Sequence, residues 1–324
     1  MSTDSPAPLS DYSSAPPDSP RNSSATSARR SRNFLNDRDH ILRAWAAILI
    51  VATIDWVWVR HAGFEIGGVI PALPGVASIA ALGFFFDYTG RARQVSEAAH
   101  YCAVWISFAV ALEIYSYAVA TLRMPMWDQQ FARMDAALGF NWAAGFDLIE
   151  SSSWMLRRLL SHAYNSIIIQ IFFSIGYFAL IKRSDRNREL LWIGMLAALI
   201  TTSLSGLFPA VGPYTTRGMP RWSAVLLTIR NGSLSKFTLA DMTGIVTFPS
   251  FHTALAVLLV YVHRPPLRSF VPVAILNALM LVAIPFAGNH YLVDVIAGAA
   301  VTALSIAIVQ AAMRPPSVAR AEGA

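Results

Sequence analysis

Eight apolar runs dominate the chain and decide what it can become. They lie near 41–60, 67–87, 100–120, 164–181, 190–208, 251–263, 269–287 and 291–313. A helix that spans a bilayer needs about 20 mostly apolar residues, and lipid leaves no water to satisfy a non-helical backbone. Seven of the runs approach that length. The run after Phe251 is short, because His263-Arg264-Pro265-Pro266 ends it. It is kept as a span because its neighbours require it for a consistent topology. The expectation is an all-α, polytopic membrane bundle of about eight helices. Composition agrees, with 55% hydrophobic residues, 14% charged residues and a mean hydropathy of +0.47. A soluble domain carries about 25% charged residues.

The net charge of +6 does not mark a nucleic-acid binder, because the basic residues fall in short clusters between apolar runs. Cys102 is the only cysteine and lies inside one run. No disulfide within the chain is possible, and the residue reads as a buried, inert thiol.

Residues 1–37 are rich in Ser, Pro and Arg and lack apolar periodicity. That composition predicts a disordered tail, with no cleavable signal peptide. Lys and Arg placement then sets the orientation. Arg29, Arg30, Arg32 and Arg38, the Arg91–Arg93 pair, Lys182 to Arg188, Arg264 with Arg268, and Arg314 with Arg320 fall on one side. The short connections on the other side carry little beyond Arg60. Both termini are expected in the cytoplasm, with loops 121–163 and 209–250 outside and the plasma (inner) membrane as the location. In the first loop Trp127, Phe131, Met134, Leu138 and Phe140 recur at helical spacing, as do Leu148, Trp154, Leu156 and Leu159. Such helices either lie on the outer leaflet or cap the bundle.

Two segments carry chemistry. Phe248-Pro249-Ser250-Phe251-His252-Thr253 opens the sixth run, and Gly288-Asn289-His290-Tyr291-Leu292-Val293-Asp294 opens the eighth. Both even-numbered runs start outside, so the Lys and Arg count alone puts both histidines on one side. His290 and Asp294 are four apart, hence one helical turn apart on one face. A carboxylate there fixes one ring nitrogen as the proton carrier and frees the other as a nucleophile. Ser250 suits an N-cap, which puts His252 in a first turn whose free N–H groups and dipole favour phosphate. His252 is then placed to protonate a leaving oxygen. A lone interfacial histidine is ordinarily structural. An aspartate one turn into a span costs about 2.5–3.5 kcal/mol at the helix centre on insertion scales and needs a partner or a task. Three such residues at matched depth point to a site.

Pro249-Ser250-Phe251-His252 and His290-Tyr291-Leu292-Val293-Asp294-Val295-x-Ala297-Gly298 resemble the Pro-Ser-x-His and His-x-x-x-Asp motifs of the type-2 phosphatidic acid phosphatase superfamily. Trp192-x-Gly194-Met195 through Phe208-Pro209-Ala210-x-Gly212-Pro213 is similar to a segment of its inositolphosphotransferase branch, which includes inositol phosphorylceramide synthases. The phosphatase pattern's Lys-x6-Arg-Pro motif does not occur, and Ile284 stands where that pattern has an arginine six residues before the second histidine. The missing arginine fits the transferase branch better. The resemblance implies a six-helix phosphatase-type core and a catalytic membrane domain over 121–313. It leaves 38–120 as amino-terminal transmembrane helices and 314–324 as a second cytoplasmic tail. It further implies that His290 attacks phosphorus to form a phosphohistidine, Asp294 orients it, and His252 acts as acid and then base. Neither a cofactor nor a metal is implied.

The phosphate's charge needs basic partners. Ser250, Arg217, Arg221, Arg230 and Lys236 are the candidates, and a solvated loop face explains each cation as well. Asp55, Glu113 and Gln170 fall in the outer halves of their runs and read as interhelical pairs rather than cavity lining. The expected enzyme cleaves a phosphoester of a lipid or lipid-linked substrate and transfers the group to an alcohol. A phosphatase acting on a lipid phosphate or isoprenoid diphosphate is the alternative. A transporter or non-catalytic membrane protein is the reading from another class, although no internal repeat is visible. The oligomeric state has no signature in the sequence.

Overall fold

In the computed structural model the described residues are 21–219, 223–233 and 236–313. The chain divides into a unit of Met1–His40 and a unit of Ile41–Ala324; the second holds the core and the site described below. Helix α1 covers Arg21–Ala62, so it begins inside the segment that composition assigns to a tail. The first 20 residues and the 314–324 tail lie outside the described residues.

The elements after α1 are β1 (Glu65–Gly67), α2 (Val69–Thr89), α3 (Arg93–Ala120), α4 (Asp128–Ala137), α5 (Trp142–Ser151), α6 (Trp154–Asn165), α7 (Ile167–Leu180) and α8 (Ser184–Leu207). They continue with α9 (Ser223–Arg230), β2 (Lys236–Thr238), α10 (Phe251–Val262), α11 (Phe270–Ala287) and α12 (Leu292–Met313). The only sheet among the described residues is a parallel pair of three-residue strands with Glu65 opposite Lys236. Each of the eight apolar runs forms a helix, and the chain is an all-α polytopic bundle and an integral membrane protein. Five helices are long and apolar enough to cross a bilayer: the Asp39–Ala62 part of α1, then α3, α8, α11 and α12. A sixth candidate is α6 with α7, bent by 54° at their junction. The remaining two runs supply shorter apolar helices, Leu73–Thr89 and Phe251–Val262.

The core sits where α3, α7, α8, α10 and α11 meet. Trp105, Phe108, Ile175, Phe178, Leu190, Leu258, Met280 and Ile284 form one buried cluster there. At one end of the bundle Glu189 of α8 joins three elements. It accepts hydrogen bonds from Arg264, just past α10, at 2.8 Å through each of its two oxygens, and from Gln310 of α12 at 2.9 Å. The other ends of α10 and α12 carry the two histidine segments.

The expected amphipathic helices of 121–163 are present as α4, α5 and α6, and they do not all bury their apolar stripe. Leu148, Trp154 and Leu159 are exposed, as suits contact with lipid. Helix α4 differs. Phe131 and Asp135 are buried on its inner face, while Met134 and Leu138 point outward. Phe131 stacks on Phe248 at 4.4 Å and joins Ala210, Tyr291 and Val293 in a small apolar cluster. Helix α4 therefore rests directly on the segments that lead into α10 and α12.

Candidate active site

His290 ends the turn between α11 and α12 and is 3% exposed. Its Nδ1 lies 3.2 Å from Asp294 Oδ2, one turn into α12. The same carboxylate oxygen accepts from the backbone N–H of Tyr291 at 2.9 Å, which locks its direction. With the proton on Nδ1, Nε2 is left as the basic atom, and it lies 3.5 Å from Ser250 Oγ. Burial holds the imidazole below the ordinary histidine range, so the ring is neutral at physiological pH.

The start of α10 is built against this turn. Ser250 caps the helix as its sequence position predicts, its Oγ accepting from Thr253 N at 3.3 Å. Its own N–H donates to the main-chain carbonyl of Asp294 at 2.9 Å, so the two motifs share a backbone hydrogen bond. Gly298 makes the close approach possible, since a Cβ there would stand 2.3 Å from Ser250 O and 2.9 Å from Thr253 Cβ. His252 follows in the first turn, stacked on Tyr164 of α6 with centroids 4.2 Å apart and planes 14° apart. Gly288 joins the two halves: a Cβ on it would meet Tyr164 Cε2 at 2.7 Å and His290 Cδ2 at 2.9 Å.

A further ring of contacts fixes the turn. Asn289 adopts a left-handed backbone conformation, φ 59°, which Asn tolerates better than most residues. Its side chain accepts from Tyr214 N at 2.7 Å and donates to Val211 O at 2.8 Å. The Phe208–Pro213 segment thus clasps the histidine turn. Asp128 of α4 accepts from Gly212 N at 2.9 Å and from the Tyr291 hydroxyl at 3.1 Å. Asp135, two turns further along α4, accepts from Leu292 N at 2.8 Å and Val293 N at 3.0 Å. It therefore caps α12 from another helix. Neither aspartate stood out in the sequence. The available signal was their seven-residue spacing with Phe131 between them, which puts all three on one helix face.

His252 and His290 line one cavity of about 830 Å³, which also reaches α3, α5 and α6. Arg157 of α6 is the one Lys or Arg among its described lining residues. Its guanidinium donates to the Ser152 carbonyl at 2.8 Å and to that of Glu150. The cations singled out from the sequence are elsewhere. Arg217 pairs with Asp147 at 2.5 Å, Arg230 donates to Met124 O at 2.6 Å, and Lys236 lies 3.7 Å from Glu65 across the two strands. None of the three borders the cavity, and Arg221 lies outside the described residues. Of the expected interhelical pairs, only Gln170 makes one, accepting from Asn277 at 2.7 Å. Glu113 lines the cavity instead, and both carboxylate oxygens of Asp55 are buried without a partner among the described residues. Among the described residues no group of three His, Cys, Asp or Glu side chains could hold a metal ion.

This arrangement offers a neutral imidazole backed by a carboxylate, a second imidazole in the same cavity and one guanidinium. Those are the parts needed to attack an anionic phosphorus centre and to move a proton. No curated protein and no solved structure matches the chain. The family model for the PAP2 superfamily matches residues 129–308, which includes α4 apart from Asp128, both histidine segments and Arg157. The chain belongs to the PAP2 superfamily and is a membrane enzyme of the phosphatase type.

Proposed function

We propose that this enzyme cleaves a phosphoester of a lipid or lipid-linked donor through a phosphohistidine on His290 and passes the group to an alcohol acceptor, as an inositolphosphotransferase does. The observation that carries the reading is the His290–Asp294 pair at 3.2 Å, in which a proton on Nδ1 leaves Nε2 free to attack. In the first half-reaction Nε2 attacks phosphorus, the bond from phosphorus to the donor oxygen breaks, and His252 gives that oxygen its proton. In the second, His252 takes the acceptor's hydroxyl proton. The acceptor oxygen attacks phosphorus, and the P–N bond electrons return to Nε2. Arg157 meets the phosphate's charge. Asp294 stabilises the proton on Nδ1 as positive charge develops on the ring.

A volume of about 830 Å³ supports transfer, since pockets for small ligands run ~300–1,000 Å³ and this one has room for a headgroup and an acceptor together. The Lys and Arg pattern supports a site on the outer face of the plasma membrane with both termini cytoplasmic. Purified protein given phospholipid labelled at phosphorus, with and without inositol or a ceramide-like acceptor, tests the reading. Label appearing on the acceptor is expected. Release of free phosphate alone, whichever acceptor is present, overturns transfer in favour of hydrolysis.

A further inference from the structure

We propose that Glu113 selects a polyhydroxylated headgroup at this site by hydrogen-bonding its hydroxyls, an inference that rests on the phosphoryl-transfer reading of the same cavity. The cavity has two chemically different walls. One holds His252, His290 and Arg157 and suits an anion. The other is formed by α3 and α8 and presents Glu113, Ser116 and Thr202. Glu113 Oε1 is buried with no hydrogen-bond partner among the described residues. The Ser116 hydroxyl, one turn on, is already committed to the Glu113 main-chain carbonyl at 2.7 Å. Arg157, the one Lys or Arg among the described residues lining the cavity, stands on α6 and not on this wall.

A carboxyl group left unpaired in a helix bundle is costly, and an ionisable residue in that setting is retained for a task. A phosphate is not its ligand, because a carboxylate repels it. A hydroxyl is suited to Glu113 in either protonation state: the carboxylate accepts from it, and the neutral acid both donates and accepts. Thr202 of α8, which lines the same cavity, adds a hydroxyl of the same chemistry. The substrate then lies with its phosphorus at the histidines and its hydroxyl-bearing ring or chain against α3.

Lipid competition measured by native mass spectrometry on full-length protein tests this, using the His290→Asn background so that bound lipid is not turned over. The probes are phosphatidylinositol, phosphatidylethanolamine and phosphatidic acid; the last has no headgroup hydroxyl and serves as the internal reference. A preference for phosphatidylinositol is expected in the presence of Glu113. It should fall by about tenfold in Glu113→Ala and by less in the isosteric Glu113→Gln, as loss of a charge-assisted hydrogen bond predicts. Binding of phosphatidic acid stays constant across the series, which also reports that the variants fold. Absence of the preference, its survival in both variants, or a preference for phosphatidylethanolamine each overturns the proposal. Failure of the transferase reading registers separately, as label released by the wild-type protein without appearing on the acceptor, and leaves the binding comparison intact.

Discussion

Removing the Asp135 carboxylate tests whether the active site is held from outside the membrane bundle. Its two oxygens accept from the first N–H groups of α12 at 2.8 and 3.0 Å, and the residue is 3% exposed. In Asp135→Ala the buried Val293 N–H and the part-buried Leu292 N–H both lose their acceptor, at about 1–3 kcal/mol each. Water entering the space offsets part of that loss, and a net cost of about 2–4 kcal/mol follows, at or above the upper range for a lost N-cap. His290 precedes the capped turn by two residues and Asp294 lies within it, so fraying there displaces the nucleophile and its carboxylate together. A displacement of about 1 Å costs on the order of 100-fold in rate. Thermal unfolding in detergent and turnover of labelled phospholipid read the two consequences. Asp135→Ala should lower the unfolding midpoint by roughly 5–10 °C. It should also reduce kcat by about 10- to 100-fold with little change in KM. Asp135→Asn keeps one acceptor and should fall between. Wild-type midpoint and kcat in Asp135→Ala refute the reasoning, and a change confined to KM refutes the positioning role.

Three other outcomes follow from the geometry. Gly298→Ala puts a Cβ 2.3 Å from Ser250 O, so α10 must move away from α12; turnover should drop more than about tenfold in correctly inserted protein, consistent with overpacking costs of ~1–3 kcal/mol. Arg157→Ala should raise KM for an anionic substrate at least about tenfold, as removal of a charge-assisted contact predicts, whereas Arg217→Ala should leave turnover unaltered in the same assay because its partner is Asp147. His290 should stay neutral as pH falls through the ordinary histidine range, since burial lowers its pKa and protonation must wait for more acidic conditions. An imidazole ¹⁵N spectrum, assigned against His290→Asn, should show the Nδ1–H tautomer at pH 6, and an imidazolium signal there contradicts the geometry.

The fold was legible because lipid imposes one solution. Each apolar run had to become a helix, and each did. The count of full-length spans was less legible, because run length does not reveal the 54° bend that joins α6 to α7. His252, His290 and Asp294 were legible from local spacing plus a charge count, and they do meet around one cavity or hydrogen-bond to a residue that lines it. What escaped were the contacts that α4 and α6 make with distant parts of the chain. Asp135 and Leu292 are 157 residues apart, and nothing local distinguishes a capping aspartate from a solvated one on an amphipathic helix. Arg157 escaped for the same reason, having the appearance of an ordinary interfacial cation beside Arg158. Conversely, Arg217, Arg230 and Lys236 looked available only because their partners Asp147, Met124 and Glu65 lie far off in sequence.

Helices α10 and α12 resemble two rods bolted together at both ends. At one end the Ser250 amide grips the Asp294 carbonyl, and at the other Arg264 and Gln310 hold the same Glu189. Rods joined in that way resist both sliding and spreading. The spacing between the two imidazoles is therefore a fixed gauge, set before any substrate arrives. Adjustment to different substrates falls to the parts of the cavity wall that these fastenings do not reach, namely α5, α6 and the face of α3.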